Sequence, residues 1–235
     1  MIYILISDLG LTRENEENNK RDCRILRQPP ALLPEEIREY IDGTKNENTR
    51  AERNLAYTSL LSGLKILLNI DDCNIEKDAD GKPFLVTKDK NVYQKDGKRI
   101  YISLSHSDYV SAVCISDEGD VGIDIQSEID SARAERLKER FLGNIEAVNS
   151  TIDVEIYYCS LTPAEVVLEA INLADCDDGR FTSKWVMAES LMKLYGRGFG
   201  DLSRVKNNIG STQAYTMLKK YIGKNTYYLA LSVYK

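Results

Sequence analysis

The sequence predicts an α+β protein made of two similar helix-plus-hairpin lobes, residues 1–117 and 118–235. Three observations predict it. An amphipathic helix stripe over residues 47–69 is followed by short strands, some alternating and some wholly apolar. The stretch "YVSAVCIS" at 109–116 and the closing "YYLALSVYK" at 227–235 share one strand pattern, which reads as a weak internal duplication. The chain has 235 residues, 43% of them hydrophobic. That is enough to bury a core as one large domain or as two lobes of roughly 110 residues each.

Taken in order, "MIYILISDL" is a short apolar run with no basic segment before it and no small-residue cleavage site, so it reads as a first strand and not as a signal peptide. Residues 13–28 are polar and charged, with Lys20, Arg21, Arg24 and Arg27 among them, and read as a solvated loop. Pro34 as first helical residue, followed by Glu35 and Glu36, marks a helix start. From Tyr57 the apolar residues Leu60, Leu61, Leu64, Leu67 and Leu68 fall on one helical face, so residues 47–69 form a helix despite Gly63. Arg53 lies on that face at its N-terminal end, where a cation and the helix dipole can both meet an anion; a snorkelling arginine at the core edge is the ordinary alternative.

"GKP" at 81–83 and "KDGKR" at 95–99 are turns. In "IYISLS", Ile100, Ile102 and Leu104 alternate with polar residues as in a half-buried strand, and the hairpin to "YVSAVCIS" carries Ser105, His106, Ser107 and Asp108. In "VGIDIQ", Val121, Ile123 and Ile125 point one way while Gly122, Asp124 and Gln126 point the other, which makes Asp124 and Gln126 neighbours. A helix then runs to about Phe141, with Gly143 beyond it. "TPAE" at 162–165 is a capping box and predicts a helix over 163 to about 174. The next helix begins near Phe181, sets Trp185, Glu189 and Lys193 on one face, and stops at Gly196, Gly198 and Gly200.

The formal net charge of −6 gives no general attraction to nucleic acid or to an anionic membrane, so a phosphate-bearing ligand must be met by local cations. Five widely spaced cysteines without a CxxC pair argue against a disulfide framework or a zinc site and for a reducing cytoplasm. No run approaches the ~18 apolar residues of a membrane span.

Singly, each polar feature has an ordinary explanation: a hydrogen-bonded hairpin histidine, a strand aspartate serving a turn, a surface ion pair between Glu189 and Lys193. Their order is more informative. Arg53, GKP (81–83), SLSHS (103–107), VGIDI (121–125), RFLGNIE (140–146), WxxxExxxK (185–193) and GRG together resemble the 4′-phosphopantetheinyl transferases of the larger, two-lobed type. The likeness spans roughly residues 50–200, and SHS, GIDI and ExxxK are its most specific parts.

The resemblance implies an α+β fold of two similar lobes related by a pseudo-twofold axis, with the active site in the cleft between them. It implies Mg²⁺-dependent transfer of phosphopantetheine from coenzyme A, the co-substrate, to a serine of an apo acyl or peptidyl carrier protein, with Mn²⁺ as an alternative ion. A monomer without nucleic-acid or membrane partners is expected. Asp124 and Glu189 would hold the metal, with Gln126 as a neutral oxygen donor, and Lys193 would neutralise the leaving phosphate. Ser105 and His106 would hold the coenzyme A phosphates. Arg53, with Lys45 or Arg50, would meet the 3′-phosphate, and Lys82 and Pro83 of the GKP turn would lie near the nucleotide. Glu146 matches the acid that helps deprotonate the acceptor serine, a step that a metal-bound water or Glu189 could also perform. The chain departs from the pattern at Gln126, where the family often has an acid, at Ala188, where it usually has lysine, and in a longer stretch over 147–180. These departures motivate a second expectation, a protein of the same fold that binds coenzyme A or a carrier domain without efficient transfer.

Overall fold

Strand β1 (Ile2–Asp8) lies at the centre of a five-stranded sheet, and the computed structural model describes it together with residues 33–141, 155–159, 166–168, 181–196, 214–222 and 225–233. Among these residues the fold is mixed α+β. Helices α1 (Glu35–Asp42) and α2 (Glu47–Leu68) precede two short hairpins, β2 (Asn74–Lys77) with β3 (Pro83–Val86) and β4 (Gln94–Lys95) with β5 (Lys98–Arg99). Three strands follow, β6 (Tyr101–Ser107), β7 (Val110–Ser116) and β8 (Val121–Ser127), and then helix α3 (Ser131–Phe141). The remaining elements are β9 (Glu155–Cys159), β10 (Val166–Leu168), α4 (Phe181–Tyr195), β11 (Ala214–Ile222) and β12 (Asn225–Val233).

The large sheet runs β10-β9-β1-β7-β6, antiparallel except for the parallel β1–β9 pair, and a second sheet runs β11-β12-β8, antiparallel throughout. Residues 155–159 and 166–168 therefore join the sheet begun by the first strand. Alternation along β1 and β7 divides the core. Ile2, Ile4, Ile6, Val110, Ala112 and Cys114 pack with Val121, Ile123 and Ile125 of β8 and with Leu229 and Leu231 of β12, so this cluster joins the two sheets. Leu5, Val113 and Ile115 face the other way and meet Leu60 and Leu64 of α2. Helix α4 covers the second sheet, with Val186 and Met187 against Tyr228 and Ala230. Each fully buried aliphatic side chain of this kind contributes about 1.5–3 kcal/mol.

The α2 stripe forms as its spacing predicts, and Asn46 caps the helix by accepting from Thr49 N–H at 3.0 Å. Gly63 is where the helix touches the sheet: a Cβ there would stand 2.8 Å from Leu5 Cδ2. Three local expectations change. Pro34 sits at the N-cap, one residue before the first helical position. Ser105, His106 and Ser107 belong to strand β6, and the hairpin turn is only Asp108 and Tyr109, both with positive φ (43° and 66°), the mirror-image geometry that twisted hairpins favour. Val166–Leu168 forms a strand against β9 where a helix was expected, because the β-branched pair Val166 and Val167 finds a sheet edge. The rest of that expected helix, and the loop over 13–28, lie outside the described residues.

No described helix is long and apolar enough to cross a membrane.

Candidate active site

Strand β6 and strand β8 run side by side without a backbone ladder, and serine side chains join them. Ser103 Oγ accepts from Ile123 N–H (3.0 Å), Ser105 Oγ from Ile125 N–H (3.2 Å) and Ser107 Oγ from Ser127 N–H (3.2 Å). Every second residue of β6 thus satisfies a β8 amide that would otherwise be left unbonded at the sheet edge. This seam places the residues of "SLSHS" beside those of "VGIDIQ".

Ser105 also donates to Asp124 Oδ1 at 2.6 Å. The same oxygen accepts from Lys193 Nζ at 2.7 Å, while Asp124 is only 2% exposed. The other oxygen, Oδ2, is buried with no hydrogen-bond partner. Beside it stands Glu189, whose carboxyl is pushed up to about 8 by burial and then by the Asp124 charge, against the opposing pull of Lys193 and Arg133. Lys193 offsets the charge on Asp124, but burial beside that carboxylate outweighs the cations at Glu189, which keeps its proton well above the ordinary carboxyl range. Trp185, one helical turn before Glu189, packs with Ile129 and Ala134, and the helix residues Val186, Ser190 and Leu191 are buried.

Close approach of α4 to β8 creates the pair. Gly122 makes it possible: a Cβ there would overlap the Ser190 carbonyl oxygen and the Leu194 amide nitrogen and lie 2.9 Å from Leu194 Cα. The alternation that puts Gly122 and Asp124 on one face thus serves two ends, with the glycine admitting the helix and the aspartate meeting its polar side chains.

Lys193 also lines a cavity of about 220 Å³ whose walls include Arg53, Lys77, Lys82 and His106, with Asp80 as the only carboxylate among the described lining residues. In a chain of net charge −6 this is a local reversal of sign. Arg53 donates to Thr44 Oγ1 at 2.7 Å and stacks over the Tyr40 ring at 4.5 Å, while its Nε is buried without a partner. Lys77 approaches the same ring, with Nζ 3.2 Å from its centroid. Lys82 is itself paired: its ammonium donates to the Leu194 carbonyl (2.6 Å) and pairs with Asp120 (2.6 Å). It therefore ties the GKP turn to the C-terminal end of α4. Burial holds its ammonium below the usual lysine range against the pull of Asp120.

His106 Nδ1 lies 2.9 Å from Glu52 Oε2. Glu52 Oε1 in turn accepts from the Tyr109 amide at 3.0 Å, so one α2 carboxylate anchors both the histidine and the hairpin turn. Burial opposes the charge on Glu52, but the bonds from His106 and Tyr109 outweigh it and hold the carboxyl below its ordinary range.

The structure therefore brings together Ser105, Asp124, Glu189 and Lys193, and sets Arg53, His106, Lys82 and Pro83 around one cavity. Gln126 is turned to the seam, its Nε2 donating to Ser107 Oγ at 3.0 Å and Ser127 Oγ at 3.3 Å. Lys45 and Arg50 are exposed and outside the cavity wall, and Arg50 faces Glu47 at 3.8 Å. Glu146 lies outside the described residues. Sequence reasoning missed Glu52, Tyr40 and Lys77. For Glu52 a signal existed: it stands three and four residues before Leu55 and Ala56, an acid on the buried stripe of α2.

Among the described residues no three or more His, Cys, Asp or Glu side chains converge as a metal centre. The pair Asp124 and Glu189 still fits Mg²⁺, which takes hard oxygen donors and commonly only one or two carboxylates besides substrate phosphates. The unpartnered Asp124 oxygen and the retained proton of the pair are the imbalance that a divalent cation would relieve. No protein-family model and no curated protein matches the chain.

Proposed function

We propose that this chain is a Mg²⁺-dependent 4′-phosphopantetheinyl transferase, moving the phosphopantetheine arm of coenzyme A to a serine of an apo acyl or peptidyl carrier protein and releasing adenosine 3′,5′-bisphosphate. One observation carries the reading. A buried Asp124–Glu189 acid pair is joined through Asp124 to Lys193, and Lys193 lines a cavity walled by cations in an otherwise acidic chain. In this reading residues 1–117 and 118–235 form two lobes about a pseudo-twofold axis with the site in their cleft, and the enzyme acts as a cytoplasmic monomer.

In the reaction the acceptor serine oxygen bonds to the phosphorus that carries the pantetheine, and the bond from that phosphorus to the bridging pyrophosphate oxygen breaks. Asp124 and Glu189 would hold Mg²⁺, which would supply charge neutralisation at the pyrophosphate. The chain's own residues do the rest. Arg53 and His106 bind anionic oxygens within the cavity, and Lys193, already positioned by Asp124, offers its ammonium to the charge that grows on the departing phosphate. Ser105 keeps Asp124 in place through Oδ1, which leaves Oδ2 as its free donor. The serine proton falls to Glu146 by the resemblance.

Incubation with coenzyme A, Mg²⁺ and a panel of apo carrier domains tests this directly. One phosphopantetheine arm should appear on the carrier by mass spectrometry, and no gain across the panel at high enzyme concentration would refute the reading.

A second reading has its own observation: Gln126 is bonded into the serine seam, and Ala188 is buried at 1% exposure, so neither position adds charge to the site. In that reading the protein holds coenzyme A or a carrier domain without efficient transfer. Coenzyme A binding that is unchanged by Asp124→Ala and Glu189→Ala, measured by calorimetry, would favour it over the enzyme.

A further inference from the structure

Glu52 and His106 are brought together by a helix and a hairpin that are distant in sequence. Glu52 lies on α2 directly before Arg53, and its carboxylate is 12% exposed. One of its oxygens takes the Tyr109 amide at 3.0 Å, which fixes the two-residue turn, and the other faces His106 Nδ1 at 2.9 Å. A carboxylate accepts and cannot donate, so the ring nitrogen facing it carries the proton and Nε2 is the atom left for whatever fills the cavity that His106 lines.

Glu52 accepts from Nδ1–H whether or not Nε2 also holds a proton. The ring can therefore present Nε2 as an acceptor, or as a charged N–H donor to an anion, without turning and without breaking a bond. The neighbouring residue Arg53 faces the same cavity from the same helix turn, so the two recognition groups are set in register by one stretch of backbone.

We propose that Glu52 is the positioning residue of His106, fixing the imidazole tautomer and orientation so that Nε2 meets an anionic phosphate oxygen of the cavity ligand. This rests on the transferase reading for the identity of that ligand, coenzyme A, but not for the dyad itself. Orienting partners of functional histidines are commonly worth 10- to 100-fold in binding or activity when removed.

The test is Glu52→Gln. Glutamine keeps the shape and an oxygen for Tyr109 N–H, and so leaves the turn anchored. Its amide nitrogen then faces His106 Nδ1, which must become an acceptor, and the proton moves to Nε2. Because His106 is the only histidine in the chain, its ring nitrogens give the only imidazole signals in a ¹⁵N NMR spectrum. The wild type should show the Nδ1–H form of the neutral ring and Glu52→Gln the Nε2–H form. The Gln amide also repels a doubly protonated ring, so KM for coenzyme A should rise about tenfold with kcat nearly unchanged. In a His106→Ala background, adding Glu52→Gln should change KM no further, since a positioning residue has nothing left to position. Nε2–H in the wild type, an unchanged KM in Glu52→Gln, or additive effects of the two substitutions would each overturn the proposal. The predicted tautomers in a protein that neither binds coenzyme A nor transfers its arm would support the dyad and refute the transferase reading alone.

Discussion

Gly122→Ala should disable the site through the backbone, without touching an ionisable group. The added Cβ would overlap the Ser190 carbonyl oxygen and the Leu194 amide nitrogen and stand 2.9 Å from Leu194 Cα. All three contacts are helix backbone, which cannot swing aside as a side chain can. Helix α4 must therefore retreat from β8 by on the order of 1 Å, a displacement that costs about 1–3 kcal/mol in a close-packed interior and sometimes more. Glu189 and Lys193 ride on that helix, and the Lys193–Asp124 contact is 2.7 Å. A shift of ~1 Å in catalytic geometry commonly costs about 10²-fold in rate. Urea denaturation and carrier-modification rates measured on one preparation should show both losses together. A variant of wild-type stability and wild-type rate would refute the claim that helix–strand contact at Gly122 sets the acid pair.

Three further outcomes are expected. Without metal, folded Glu189 keeps its proton from its ordinary carboxyl range up to about 8, while the unfolded chain releases it near pH 4.5. Unfolding then releases a proton in that window, so stability falls as pH rises through it, by on the order of 1 kcal/mol per pH unit, and levels off above. Mg²⁺ should raise the melting temperature most at the alkaline end, Glu189→Gln should flatten the profile, and a flat wild-type profile with no Mg²⁺ effect would count against the acid pair. Ser105→Ala strips a donor from Asp124 and an acceptor from Ile125 N–H, and should destabilise by about 1–3 kcal/mol in chemical denaturation while weakening the Mg²⁺ dependence of transfer. Tyr109→Gly keeps the amide that Glu52 holds and removes the strain of a tyrosine at φ 66°, so it should stabilise the hairpin by up to about 1 kcal/mol; a clear loss of melting temperature would contradict that reading of the turn.

The parts of this fold that were legible in the sequence are those in which local periodicity and tertiary packing agree. The leucine stripe of α2 keeps its expected face because a shift in register would expose it. Strand β8 and helix α4 keep theirs because Val121, Ile123 and Ile125 must meet the inter-sheet core and Gly122 and Asp124 must meet α4. What was illegible depends on which edges meet. Nothing in "SLSHS" alone says that its serines will accept the amides of a strand twenty residues on, since hydroxyls at alternate positions look the same on a solvated edge. The stripe of α2 marks Glu52 as a buried acid, but its partner was hidden for a related reason: a helical acid becomes a histidine's partner only when a hairpin is folded over it. At Val166–Leu168 a helix-start signal lost to strand pairing with β9, a case of tertiary context overriding local preference. Lys82 lines the cavity, but its ammonium is tied to the end of α4, a partner 112 residues away that no local pattern shows.

The most direct measurement is the transfer of phosphopantetheine from coenzyme A to an apo carrier domain by the wild type and by Glu189→Ala, each with Mg²⁺ and with a chelator. Modification of the carrier serine by the wild type in Mg²⁺ alone, lost in Glu189→Ala, is the predicted result. An unmodified carrier throughout, or equal modification by both proteins in the chelator, would contradict the assignment of Asp124 and Glu189 as the metal-holding centre of a transferase.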